Sequence, residues 1–206
     1  MSADPAPVEL LKGAAKALSE LGVGWYVFGA QAAIVYGVPR MTGDVDITVA
    51  LASTPVSALV ATMQRHGFSL RVANVDDFVR RTRVLPFVHT ATTLPLDAVL
   101  AGPGPEEQFL ARARSISLGG VAVPMISPED LIVTKVLAAR PKDIEDVRGV
   151  LAVQVRLDVL YIGRTLAMLE EALGQSDLTP LFDDLVRVAK GAKPARRVAK
   201  RPRAKK

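Results

Sequence analysis

The sequence predicts an α+β fold, with strands and helices alternating to about residue 126 and only helices beyond it. Three observations carry this reading. Short Val/Ile-rich runs flanked by glycine or proline recur up to residue 126. Segments with apolar residues at helical spacing separate them. From Ser127 onward, helical patterns alone remain, opened by Ser127-Pro-Glu-Asp130.

Element by element, Val8 to Leu21 has Leu10, Leu11, Ala14, Ala17, Leu18 and Leu21 on one helical face, stopped by Gly22 and Gly24. Trp25 to Phe28 reads as a buried strand, and Gly29 turns the chain into a small-residue helix, Ala30 to Tyr36. Asp44 to Leu51 alternates as a second strand, and Pro55 to His66 is a helix with Thr54 as its expected N-cap. Ser69 to Val72, Thr82 to Val88 and Leu94 to Leu100 read as strands, with a short helix near Asp76 to Arg80. Glu106 to Ala113 is a helix, and Ile116 to Ile126 a hairpin turning at Gly119-Gly120. Ser127 caps a helix running to about Arg140, with proline at its first position and acids in its first turn. Pro141 opens the next, with Ile144, Val147 and Leu151 on one face. Asp158 to Leu173 and Leu181 to Ala189 complete the set. The expected organisation is an α/β domain over 1–126, a helical part over 127–189 packed on it, and a basic disordered tail over 190–206.

Composition narrows the function. The 206 residues are 50% hydrophobic and 23% charged, enough for a sizeable core. The absence of cysteine excludes disulfide scaffolds, thiolate zinc sites and thiol nucleophiles. The start of the chain lacks a secretory pattern, and the longest apolar stretch, Trp25 to Val38, is too short and too interrupted to cross a bilayer. A cytoplasmic protein without membrane association is expected. The net charge of +5 is local: nine Lys/Arg and no acid lie in 190–206, leaving 17 basic against 21 acidic residues before them. Such a tail either neutralises RNA or DNA phosphates or merely solubilises the chain.

The most informative stretch is Gly29-Ala-Gln-Ala-Ala-Ile-Val-Tyr-Gly-Val-Pro-Arg-Met-Thr-Gly-Asp44-Val-Asp46. Gly29 between strand and helix lets backbone amides approach an anion at a helix N-terminus. Asp44 and Asp46, two apart on a strand, would project from one face about 6.8 Å apart. Their repulsion is relieved if both share a divalent cation. Asp97, a lone charge in Leu94-Pro-Leu-Asp-Ala-Val-Leu100, completes a triad if its strand is adjacent; otherwise Arg80, Arg81 or Arg83 is its nearest partner in sequence. Three carboxylates around magnesium suit phosphoryl or nucleotidyl transfer, and one of them can take the nucleophile's proton. His66 and His89 are isolated from any such set.

Strand, glycine turn, helix, Arg40-x-Thr42-x-Asp44-x-Asp46 and a later strand acid together resemble the DNA polymerase β-type nucleotidyltransferase superfamily. The stretch is most similar to the AbiEii-like branch, nucleotidyltransferase toxins of type IV toxin–antitoxin systems. Ser127-Pro-Glu-Asp-Leu-Ile-Val-Thr-Lys135 and Arg140-Pro-Lys142-Asp143-Ile-Glu-Asp146 resemble that branch's lysine helix and the turn after it. The likeness spans roughly residues 24 to 152. It implies a nucleotidyltransferase-type mixed sheet flanked by helices. It also implies Mg2+ held by Asp44, Asp46 and Asp97, with Asp97 as base, and phosphate bound by Gly29 and the Ala30 amide. Arg40 and Thr42 would line the nucleotide pocket, or Arg40 would brace the loop. Lys135 would reach the triphosphate, or be a solvated helix lysine; Arg140, Lys142, Asp143 and Asp146 read first as structural charges. Ala30 departs from the usual Gly-Ser or Gly-Gly: it keeps the amide, lacks a hydroxyl and disfavours positive φ. The implied reaction moves NMP from an NTP such as ATP to a hydroxyl of tRNA or a protein, with an antitoxin protein as a further expected partner. The alternatives are an antibiotic-type small-molecule nucleotidyltransferase and an inactive nucleic-acid-binding or partner-binding member of the fold.

Overall fold

The computed structural model describes residues 4–191. The basic tail expected from residue 190 therefore lies, from residue 192 on, outside the described residues. The chain divides into two compact units, Met1–Leu131 and Ile132–Lys206.

The first unit is built on a seven-stranded mixed sheet in the order β3-β4-β5-β2-β1-β7-β6. Its strands are β1 (Gly24–Phe28), β2 (Val45–Ala50), β3 (Phe68–Leu70), β4 (Val84–His89), β5 (Pro95–Leu100), β6 (Arg114–Leu118) and β7 (Val121–Met125). The helices α1 (Ala6–Leu21), α2 (Gly29–Val35), α3 (Val56–Arg65), α4 (Val75–Thr82) and α5 (Pro105–Arg112) connect them. β2 runs parallel to β5 and antiparallel to β1, and β4 is antiparallel to both β3 and β5.

Alternation sorts the strand residues onto two faces. Val27, Ile47 and Ala98 share one row, Trp25 and Val49 another, and Leu85, Phe87 and Leu96 fall on the same face. Of these, Val27, Ile47, Val49, Leu85, Phe87 and Leu96 are wholly inaccessible to solvent. α1 covers this face: a Cβ at its Gly13 would touch the Phe68 and His89 rings. α1 also packs on α3 and β7, burying Leu10, Leu11, Ala14 and Leu18 at the predicted helical spacing. The opposite face carries Tyr26, Phe28, Asp46, Thr48, Pro86 and Asp97, as the same registers require.

Local details differ from the sequence reading: Thr82, expected to open a strand, ends α4, and β4 starts at Val84. The backbone carbonyl of Pro55, not Thr54, accepts the first bonds of α3, from Ala58 and Leu59, so no side chain caps that helix. β2 begins at Val45, which leaves Asp44 in the loop before the strand. Ser127 caps as expected: its Oγ accepts from the Asp130 amide at 3.1 Å and donates to the Asp130 carboxylate at 2.6 Å. Arg112 and Arg114 hold the buried acids of that turn, Asp130 and Glu129, at 3.1 Å each.

α6 (Pro128–Ala138) leads into the second unit, whose remaining helices are α7 (Pro141–Val153), α8 (Val159–Leu173) and α9 (Leu178–Ala189). α9 packs on both α7 and α8, burying Val147, Val150, Ile162, Leu166, Phe182 and Leu185. Asp158 caps α8 by accepting from the Tyr161 amide at 2.8 Å, and Gly174 ends it in the left-handed conformation. The described residues include no helix long and apolar enough to cross a membrane.

Candidate active site

The candidate site lies at one end of the sheet, where β1 finishes and β2 and β5 begin. Asp46 and Asp97 are register partners on adjacent parallel strands, so their side chains leave the same face from strands about 4.8 Å apart. Phe28 is the partner of Asp46 on the other side, and Gly29 follows it directly as the first residue of α2. Gly29 has φ +67°, and a Cβ built on it would fall 2.1 Å from Asp46 Oδ2. Glycine is required twice over here, by backbone conformation and by the carboxylate lying against it. Ala30 is the second residue of α2, is buried, and is absent from the non-glycine residues with positive φ. The substitution at 30 thus falls where alanine is conformationally suited.

Asp44 is exposed, and Thr42 Oγ1 donates to its Oδ1 at 2.7 Å. Thr42 therefore braces a candidate ligand. Arg40 is half-buried in the same loop. Deeper along this face, Tyr26 is buried beside Thr48 and Phe28; burial pushes its hydroxyl up to about 12 against a hydrogen bond with Thr48. Tyrosine, threonine and phenylalanine fill that region, so the acids stand at the edge of a packed surface.

Asp97 is not paired with the arginines nearest to it in sequence. Its partner is Arg71, just after β3, whose Nη2 donates to Asp97 Oδ1 and whose Nε donates to the Phe87 carbonyl at 3.0 Å. Arg83 instead donates to the Leu100 and Ala101 carbonyls at the far end of β5. Nothing in the spacing of Arg71 and Asp97 announces their meeting; only the strand order across β3, β4 and β5 brings them together.

The donor chemistry suits magnesium. Hard divalent cations take carboxylate oxygens, and Asp44, Asp46 and Asp97 supply three carboxylates from one sheet end. Among the described residues, however, no three acidic or histidine side chains converge as a metal-binding group. The Asp97 carboxylate is directed to Arg71 and that of Asp44 to Thr42.

Lys135 belongs to the second unit and is not a solvated helix lysine. It is 6% exposed, and its Nζ donates to Asp146 at 2.6 Å and to Asp143 at 3.0 Å. Arg140 Nε donates to the other oxygen of Asp143 at 2.5 Å. Burial acts to raise the Asp143 carboxyl, but the hydrogen bonds and charges of Arg140 and Lys135 outweigh it and hold the group below its ordinary value. The lysine's partners lie eight and eleven residues along, across a helix junction, beyond the reach of single-helix spacing rules. Lys142 is exposed.

Comparison with known proteins accords with this architecture. No curated protein matches the sequence. The solution structure of the antibiotic-resistance factor ANT(2'')-Ia is similar, with a TM-score of 0.59 and 17% identity over 84% of this chain and 95% of that one. An antigenic nucleotidyltransferase-like protein from Paracoccidioides brasiliensis gives a TM-score of 0.53 at 17% identity, over 85% and 92% of the two chains. At such identities the likeness concerns the fold. A family model, described as nucleotidyltransferase of unknown function (DUF6036), matches residues 11–171, which include both sheet acids and the glycine turn. The chain belongs to this nucleotidyltransferase family.

Proposed function

We propose that this protein is a magnesium-dependent nucleotidyltransferase that moves NMP from an NTP to a hydroxyl of a macromolecule, tRNA or a protein, releasing pyrophosphate. The observation that carries the reading is the register of Asp46 with Asp97 directly beside Gly29. Asp44, Asp46 and Asp97 would hold Mg2+, which when bound neutralises the triphosphate. Gly29, which has no Cβ, and the Ala30 amide would offer backbone N–H groups to phosphate oxygens. Thr42 keeps the Asp44 carboxylate in place. Asp97 takes the acceptor's proton as the acceptor oxygen bonds to the α-phosphorus and the bond to the β-phosphate's bridging oxygen breaks. Kinship with the AbiEii-like branch, and with it a toxin role checked by an antitoxin, rests on the motif blocks around Asp44 and Lys135.

The test is incubation of the full chain with α-labelled NTPs, Mg2+ and, separately, total tRNA, cell lysate protein and aminoglycosides. Label on tRNA or protein, abolished in Asp46→Ala and Asp97→Ala, is the expected result. Label on the aminoglycoside alone would reassign the acceptor. No transfer from any NTP, with folded protein and active controls, would overturn the catalytic reading.

A further inference from the structure

The chain itself places a cation, the Arg71 guanidinium, on one of the two sheet acids. One row of residues crosses the sheet at the acids: Phe28 on β1, Asp46 on β2, Asp97 on β5 and Pro86 on β4. Arg71 extends that row, its backbone amide donating to the Pro86 carbonyl at 2.8 Å. Because the Pro86 carbonyl points toward Arg71, its missing N–H faces the same way and removes no bond between β4 and β5. The compact proline ring separates Arg71 from Asp97 with no charge or hydrogen-bonding group of its own. With Nε fixed on the Phe87 carbonyl, the guanidinium reaches past that ring to Asp97 Oδ1.

Two carboxylates side by side on neighbouring strands repel unless a positive charge is near. We propose, building on the nucleotidyltransferase reading, that Arg71 is a resident counter-ion of Asp97 that competes with the divalent cation. It would hold the third acid in place while the site lacks metal and yield it when metal arrives. Both partners are about one-third exposed at the side chain, 37% for Arg71 and 33% for Asp97. The pair can therefore open to water without stranding a buried charge. A guanidinium and a divalent cation on one carboxylate repel each other, so metal bound at Asp97 weakens the Arg71 ion pair and the ion pair weakens metal binding. The main-chain bond to Pro86 keeps the Arg71 backbone in the sheet, leaving the exchange to the side chain. Arg71 is thus a positioning residue that sets metal affinity; it is not a ligand.

The experiment is Mn2+ binding to the nucleotide-free full chain, followed by the electron paramagnetic resonance of the free ion. The chains compared are wild type, Arg71→Gln, Arg71→Met, Arg71→Lys, Asp97→Asn and the Arg71→Gln/Asp97→Asn double variant. Both neutral variants should bind Mn2+ about fivefold more tightly than wild type, the fold-change equivalent to about 1 kcal/mol for a partly exposed ion pair. Arg71→Lys should return most of the way to wild type, and high salt should narrow the gap. In the Asp97→Asn background, removing Arg71 should change nothing. Equal or weaker binding by both neutral variants, with melting curves showing them folded, overturns this inference and leaves the nucleotidyltransferase reading standing. Absence of Mn2+ binding by every chain likewise overturns this inference, and the label-transfer assay decides the nucleotidyltransferase reading separately.

Discussion

At the scale of single residues, Gly29 is the most constrained position in the site. Its φ of +67° and the 2.1 Å that would separate an added Cβ from Asp46 Oδ2 act together. Gly29→Ala should cost about 1–2 kcal/mol through backbone conformation alone. It should also push the Asp46 carboxylate aside, lowering nucleotidyl transfer by about a hundredfold, as small displacements of reacting groups do. Thermal melts and label-transfer rates measure the two effects separately, and an alanine variant with full activity would contradict the placement of Asp46. The glycine was legible in the sequence as a strand-to-helix turn. Arg71 was not, because its link to Asp97 depends on strand order. The contact of Thr42 with Asp44 is local by contrast, its hydroxyl donating to a carboxylate two residues along in the same loop.

At the scale of elements, α7 shows why pattern alone misplaced a helix face. Ile144, Val147 and Leu151 mark an apolar stripe, yet the buried positions are Asp143, Asp146, Val147 and Val150. The Lys135 ammonium turns the acids inward, and an apolar-only reading cannot register that partner. Lys135→Met would leave these carboxylates buried and short of a cation, at a cost of about 3–5 kcal/mol. Such a loss should lower Tm by on the order of 10 °C, and adding Asp143→Asn and Asp146→Asn should recover most of it. Because the folded state holds the Asp143 carboxyl below its ordinary 3.8, the contribution of this group is complete above that pH and is lost as pH falls through the folded value. Wild type should lose more Tm between pH 5 and pH 3 than Asp143→Asn does. Equal losses would show that the carboxylate carries no linked stability. Elsewhere the elements followed their local signals: Gly22 and Gly174 end α1 and α8, and Ser127 caps α6. β2 is shorter than expected at its start, since Asp44 faces Thr42 in the loop and leaves the ladder to Val45.

At the scale of the molecule, the sheet order places the N-terminal ends of β2 and β5 side by side with the C-terminal end of β1. That adjacency makes three sequence-distant signals, Gly29, Asp46 and Asp97, into one surface. The motif order was readable beforehand, but the parallel pairing of β2 with β5 came from tertiary structure. Charge is distributed just as unevenly. Truncation after Gly191 removes eight of the 26 Lys/Arg and no acid. If tRNA is the acceptor, this deletion should weaken tRNA binding and flatten its salt dependence by about 0.7 in log–log slope for each phosphate no longer neutralised. If the acceptor is a protein side chain, transfer should persist unchanged, so filter binding across a salt series separates the two.

The proposed nucleotidyl transfer requires metal and triphosphate to meet at the Asp46–Asp97 pair. Anomalous diffraction from crystals grown with Mn2+ and a non-hydrolysable NTP analogue tests this most directly. The predicted result is manganese density touching Asp46 and Asp97, phosphate oxygens over Gly29, and Arg71 withdrawn from Asp97. Manganese and nucleotide bound elsewhere, with Arg71 still on Asp97, would contradict it.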